Sequence, residues 1–125
     1  MGDRDAMATV AVKDLRAARK FYEGTLGLKP APSGESTVLG FRSGSATIMV
    51  YESQFAGTNK ATAVTWAVGT ELEAIVKTLE GKGVAFEHYD MPGTKREGAI
   101  HISGKVRVAW LKDPDGNIIS LVNGH

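Results

Sequence analysis

His88, His101 and His125 are the only imidazoles in the chain. His101 follows Glu97 by four residues, within a stretch rich in turn formers. Lining or capping the mouth of a cleft, it could do acid–base work, because imidazole exchanges its proton near neutral pH. The alternative reading is a loop histidine in solvent. His88 sits beside Glu87 and Tyr89 on a strand-like run and reads as an exposed edge residue; His125 is the last residue. No two histidines stand at metal-ligand spacing. Asp113 and Asp115 could suggest a cation site, but they flank Pro114 and precede Gly116. Pro fixes φ, the carboxylates accept nearby backbone N–H groups and Gly permits positive φ, so the pair reads as turn chemistry. Glu52 reads as solvated.

There is no Cys, which removes thiolate catalysis, disulfides and Cys-ligated zinc or iron–sulfur sites together. No Ser-His-Asp arrangement or nucleophile elbow is present. The chain offers a different chemistry. Trp110, Tyr51, Met7, Met49 and several Thr would give an adaptable, mostly apolar surface with a few hydrogen-bonding handles. Such a surface suits flat or aromatic small molecules.

The chain has 125 residues, 42% apolar and 23% charged, an ordinary globular balance. A chain of this length buries roughly two-thirds of its unfolded surface and needs no covalent or metal staple to fold. Lys and Arg number 15 against 14 Asp and Glu, a net charge of +1, with no basic run. That gives no electrostatic case for nucleic acid. Apolar runs are too short for a membrane span or a secretory segment, so the cytoplasm is the default location.

The elements that must position these residues follow from periodicity. Residues 1–6 are a polar lead-in. Met7 to Val12 is strand-like. Asp14 is placed to cap a helix in which Leu15, Ala18, Phe21, Tyr22 and Leu26 share a face, stopped by Gly27. Pro30 to Gly34 is a bend, with a short strand possible at Leu28 to Ala31. Ser36 to Arg42 and Ala46 to Tyr51 are two strands across Ser43-Gly44-Ser45. These make a first module over 7–53, followed by a linker over 54–61.

The pattern then repeats over 62–123. Ala63 to Val68 is a strand. Leu72, Ile75, Val76 and Leu79 form a helix face ended by Gly81-Lys82-Gly83. Val84 to Tyr89, Val106 to Leu111 and Ile118 to Val122 are strands. Met91 to Gly104 reads as a long irregular connection, either a lid flanked by Pro92, Gly93 and Gly98 or a plain solvated loop. A shift of about 56 residues lays Met7 on Ala63 and Gly27 on Gly83, and one of about 71 lays Met49 on Ser120. The fold class is therefore α+β, with two tandem βαβββ modules.

Strand alternation sorts the faces. Val10 and Val12, Ile48 and Val50, Val64 and Trp66, and Ile119 and Leu121 form large apolar faces that belong under the helices. The opposite faces carry Met7 and Thr9, Met49 and Tyr51, Ala63 and Thr65, and Ser120. Leu111 suits the helix side, which turns Trp110 to the mixed face unless it is ordinary packing. That mixed face lines a cleft or packs on another subunit; the two are compatible where a partner subunit closes the cleft.

Phe21-Tyr22-Glu23-Gly24-Thr25-Leu26-Gly27-Leu28 and Trp110-Leu111-Lys112-Asp113-Pro114-Asp115-Gly116-Asn117, with Val10 to Leu15, resemble the vicinal oxygen chelate superfamily. It includes glyoxalase I, bleomycin-resistance proteins and extradiol dioxygenases. The resemblance implies two βαβββ modules whose curved, cup-like mixed sheet carries helices on its convex side. In metal-dependent members it implies one divalent ion held by His, Gln or Glu. Counting from the motifs, the four ligand positions fall on Met7, Met49, Ala63 and Ser120. Thioether, methyl and neutral hydroxyl groups are poor partners for such ions.

The expectation is therefore a metal-independent, cofactor-free, homodimeric protein that binds a small, partly apolar or aromatic molecule, as the bleomycin-resistance branch does by sequestration. Its binding residues would be Met7, Thr9, Met49, Tyr51, Ala63, Thr65, Trp110 and Ser120. The alternative is a lyase, isomerase or dioxygenase of glyoxalase type, with displaced ligands or with His101 as acid–base group. A third reading makes the mixed face an oligomer seam in a protein–protein module.

Overall fold

The computed structural model describes residues 1–33 and 35–124. Gly34, at the end of the expected bend, and His125 lie outside them. The described residues form two compact units. The first joins Met1–Lys60 to Asp113–Asn117, and the second takes the remainder. Both are α+β, each with one mixed sheet.

In the first unit, β1 (Ala8–Val12) leads into α1 (Leu15–Arg19), followed by β2 (Lys29–Ala31), β3 (Val38–Ser43) and β4 (Ala46–Glu52). The sheet order is β1-β4-β3-β2, with β1 parallel to β4 and the other pairs antiparallel. Asp14 caps α1 as its sequence position predicts, its Oδ1 accepting from the N–H groups of Arg16 at 2.9 Å and Ala17 at 3.1 Å. Val10, Val12, Ala18, Phe41, Ile48 and Val50 bury the helix-side face.

The helix does not continue as α through Leu26. Lys20–Thr25 is a π-helical turn, closed by Leu26 N–H on Phe21 O and Leu28 N–H on Tyr22 O, both at 2.9 Å. The wider turn lets the adjacent rings of Phe21 and Tyr22 both be buried, edge to face at 5.1 Å. Gly27 follows at φ 78°, a conformation that suits glycine.

Residues Asp113–Asn117 complete this unit. Asp113 Oδ1 accepts from the N–H groups of Asp115 and Asn117, as local turn chemistry predicts. Its Oδ2 accepts from Tyr22 Oη at 2.8 Å and from Asn117 Nδ2 at 2.8 Å. Asn117 Nδ2 also donates to Ala11 O at 2.7 Å, and Asp115 Oδ2 accepts from Lys13 N–H at 2.9 Å. Both carboxylates are thus structural. Burial first, then the charge of Asp113, its hydrogen bond and the charge of Asp115 push the Tyr22 phenol well above its ordinary range. Gly57, at φ 72°, packs its Cα against Asp115 O so closely that any Cβ would collide with that carbonyl.

In the second unit, β5 (Thr62–Ala67) precedes a 3₁₀ turn and α2 (Leu72–Gly81). Then come β6 (Phe86–Glu87), β7 (Lys95–Glu97), β8 (Ile100–Ser103), β9 (Val106–Lys112) and β10 (Ile118–Val122). The order is β5-β10-β9-β8-β7, with β6 also on β9; β5 is parallel to β10. Leu72, Val76 and Leu79 of α2 are buried, as are Ala109, Leu111, Ile119 and Leu121. The strands β5, β10, β9 and β6 repeat the pairing of β1, β4, β3 and β2, with β5–β10 and β1–β4 as the parallel pairs.

Met91 to Gly104 is not the irregular connection its sequence suggests. It contains the β7–β8 hairpin, turned at Gly98 (φ 60°) and joined to β9 through Gly104 (φ 59°). The pair Lys95-Arg96 sits in β7, not in a lid or a plain loop. This polar strand pairs with β8, and β8 is held in turn by the edge of β9 beyond β6.

Candidate functional site

In the second unit, register places Thr65, Ser120, Trp110 and Glu87 side by side across β5, β10, β9 and β6. The neighbouring row is Ala67, Val122, Val108 and His101, continuing to Arg96 on β7. These rows share one face, since alternate residues of a strand point the same way. Thr65 Oγ1 and Ser120 Oγ share a hydrogen bond at 2.6 Å, with Ser120 buried and Thr65 exposed. Beside them Glu87 Oε1 and Lys112 Nζ pair at 3.2 Å. Leu111, on the opposite face, is fully buried, which turns Trp110 to the mixed face.

Trp110 is half-buried. Its ring meets His101 at 4.9 Å and Tyr89 at 5.2 Å, both edge to face. His101 is not a loop residue in solvent, the alternative reading of its sequence position. It is in β8, 1% exposed. The run Ala99-Ile100-His101-Ile102 alternates like a strand, and that signal was available in the sequence. Tyr89 N–H donates to His101 Nε2 at 3.0 Å, so Nε2 holds the lone pair and Nδ1 the proton. Among the described residues Nδ1 has no hydrogen-bond partner. Sequence reasoning put Tyr89 at the end of a strand from Val84, beside His88, and gave it no part in the site; the strand is Phe86–Glu87 and Tyr89 lies beyond it. His88 is exposed, as expected.

In the first unit, Thr9 pairs with Met49, and Ala11 with Tyr51, so Thr9, Met49 and Tyr51 share one face. Thr9 and Tyr51 are exposed and Met49 is half-buried. Met7 precedes β1, is 56% exposed, and lines a depression of about 420 Å³ with Asp5, Ala6, Ser45, Ala46 and Thr47. Ala63 is exposed at an irregularity of β5, where Ile118 opposes Thr62 and Ile119 opposes Val64. The register pairs are therefore Thr9–Met49 and Thr65–Ser120, equivalents under the repeat. Met7 and Ala63 lie outside both ladders.

The four positions that the resemblance assigns to metal ligands do not fit a divalent ion. They present two thioethers, a methyl and a hydroxyl already bonded to Thr65. Among the described residues no group of three His, Asp or Glu side chains could hold a metal. A separate groove of about 270 Å³ runs between α2 and the β7–β8 hairpin. There the Arg107 guanidinium pairs with Glu73 and lies 3.9 Å from Glu97. This rim of paired charges has no aromatic floor and is unlike the Trp110 face. Among the described residues no helix is long and apolar enough to cross a membrane.

No curated protein matches the sequence. Among solved structures, the fosfomycin resistance protein FosX of Listeria monocytogenes, complexed with manganese(II) and sulfate, is 16% identical with a TM-score of 0.74, over 100% of this chain and 93% of that one. FosX of Mesorhizobium loti is 12% identical with a TM-score of 0.72, over 100% and 95%. An integron cassette protein from the Halifax Harbour sewage outfall metagenome is 18% identical with a TM-score of 0.69, over 96% and 97%. At these identities the likeness is one of fold. The family model for the Glyoxalase/Bleomycin resistance protein/Dioxygenase superfamily matches residues 6–121. With both helices, both mixed sheets and nearly the whole sequence accounted for, the chain belongs to that superfamily.

Proposed function

We propose that this chain is a metal-independent binder of a small, partly apolar or aromatic molecule. The binding residues assigned are Trp110, Thr65, Ser120 and Ala63 in the second unit, and Thr9, Met49, Tyr51 and Met7 in the first. The observation that carries the reading is the placement of Trp110. Its indole is half-buried and held edge-on by His101 and Tyr89, beside the Thr65–Ser120 hydroxyl pair. A fixed aromatic surface with hydroxyl handles binds planar molecules at low ordering cost. Function is then sequestration: contacts form and no bond changes. The competing reading, a metal-dependent enzyme of glyoxalase type, needs donor side chains that the family positions do not carry.

The test is calorimetric titration of planar aromatic probes (2-naphthoate, 2-naphthamide and naphthalene) in excess EDTA. Wild type is expected to bind. Trp110→Ala is expected to lose that binding while keeping a cooperative melt. Unchanged affinity in Trp110→Ala contradicts the assignment.

A further inference from the structure

We propose that His101 is the polar anchor of the Trp110 face: its Nδ1–H donates to an oxygen acceptor on a planar, conjugated ligand whose ring lies against Trp110 and Tyr89. The ligand class is an aromatic carboxylate or carbonyl compound. This rests on the proposed function and adds the chemistry of the ligand.

The backbone N–H of Tyr89 points at Nε2 at 3.0 Å, and a donor can meet that nitrogen only as a lone pair. The ring proton is thereby held on Nδ1. That N–H is buried and, among the described residues, meets no acceptor. Buried donors in native proteins are almost always paired, so an orphan marks a place where an acceptor belongs. The fold spends two contacts to aim the ring, the Tyr89 hydrogen bond at one nitrogen and the Trp110 edge at 4.9 Å, and leaves the other nitrogen unused.

The surroundings say what kind of molecule brings that acceptor. Three rings converge: His101 to Trp110 at 4.9 Å, Tyr89 to Trp110 at 5.2 Å and Tyr89 to His101 at 6.2 Å. A flat ligand finds π-faces and edges here, and one donor. Tyr89 lies outside the strands, on the connection between β6 and β7. Its ring can turn aside for a ligand ring without breaking a ladder, while its backbone N–H keeps hold of Nε2. A carbonyl or carboxylate oxygen conjugated to the ligand ring stays in the ring plane, which suits a donor set among ring edges.

The test uses the full chain and three probes, 2-naphthoate, 2-naphthamide and naphthalene, with two substitutions that separate the nitrogens. His101→Asn keeps an amide donor near Nδ1 and loses the Nε2 acceptor. His101→Gln keeps an acceptor near Nε2 and loses the Nδ1 donor. The anchor predicts that wild type binds 2-naphthoate and 2-naphthamide at least tenfold more tightly than naphthalene. His101→Gln should erase that preference, and His101→Asn should keep it within about threefold. In protein labelled with ¹⁵N-histidine, the Nδ1–H resonance of His101 should move on adding 2-naphthoate. Equal wild-type affinity for all three probes, or an intact preference in His101→Gln, overturns the anchor and leaves the Trp110 reading standing. Failure of all three probes to bind wild type overturns both. If a variant does not fold, the wild-type preference and the Nδ1–H resonance decide the matter alone.

Discussion

Each unit buries a polar centre, Asp113 in the first and His101 in the second, and the two are finished differently. In the first, Asp113 takes a hydrogen bond from Tyr22, two from backbone N–H groups and one from Asn117, so its carboxylate is fully engaged. In the second, His101 accepts one bond and keeps one donor free of any partner among the described residues. A saturated network stabilises and specifies; it has nothing left to offer a ligand. An unsaturated one carries an unrecovered burial cost, the kind of cost that function tolerates. The sequence reads Asp113 and Asp115 as turn chemistry, and the structure agrees; it places His101 in an irregular connection, which hides its burial.

Breaking the saturated centre should cost most. Asp113→Ala leaves the Tyr22 hydroxyl and two backbone N–H groups without their acceptor, and should lower stability by about 3–5 kcal/mol in urea unfolding. A loss below about 1 kcal/mol would mean the network is not closed as described. Tyr22→Phe removes one donor and leaves Asp113 its other three, so about 1–2 kcal/mol is expected. The pH dependence sharpens this. The Tyr22 phenol is raised in the folded state above its unfolded value of about 10. Its contribution is therefore present below that value and is lost as pH climbs above it, while the unfolded phenol ionises first. Wild type should lose stability above about pH 10 more steeply than Tyr22→Phe; parallel curves would separate Tyr22 from Asp113.

Much of the scaffold was legible. The Asp14 cap, the stop at Gly27 and the apolar alternation of β1 and β4 are local signals, and the structure follows them; β10 is buried on both faces from Ile118 to Leu121. The face of Trp110 was legible too, because Leu111 could only be core. What escaped depended on distant partners. Asp115 reaches Lys13 N–H across most of the chain, beyond any sequence window. The π turn exists because the adjacent rings Phe21 and Tyr22 must both be buried, one of them over Asp113. Strand β7, spelled Lys95-Arg96-Glu97, has no strand propensity to read; it forms because β8 pairs with it and β9 pairs with β8. Once β8 is a strand, His101 is carried from the expected loop to the buried face of Trp110.

On the proposed reading, the mixed face would bind its ligand with side chains that cannot grip a divalent cation. Room-temperature electron paramagnetic resonance of manganese(II) titrated into the full chain tests it directly. The six-line signal of the free ion should grow in proportion to the manganese added. Loss of one equivalent of that signal at micromolar protein would contradict the account.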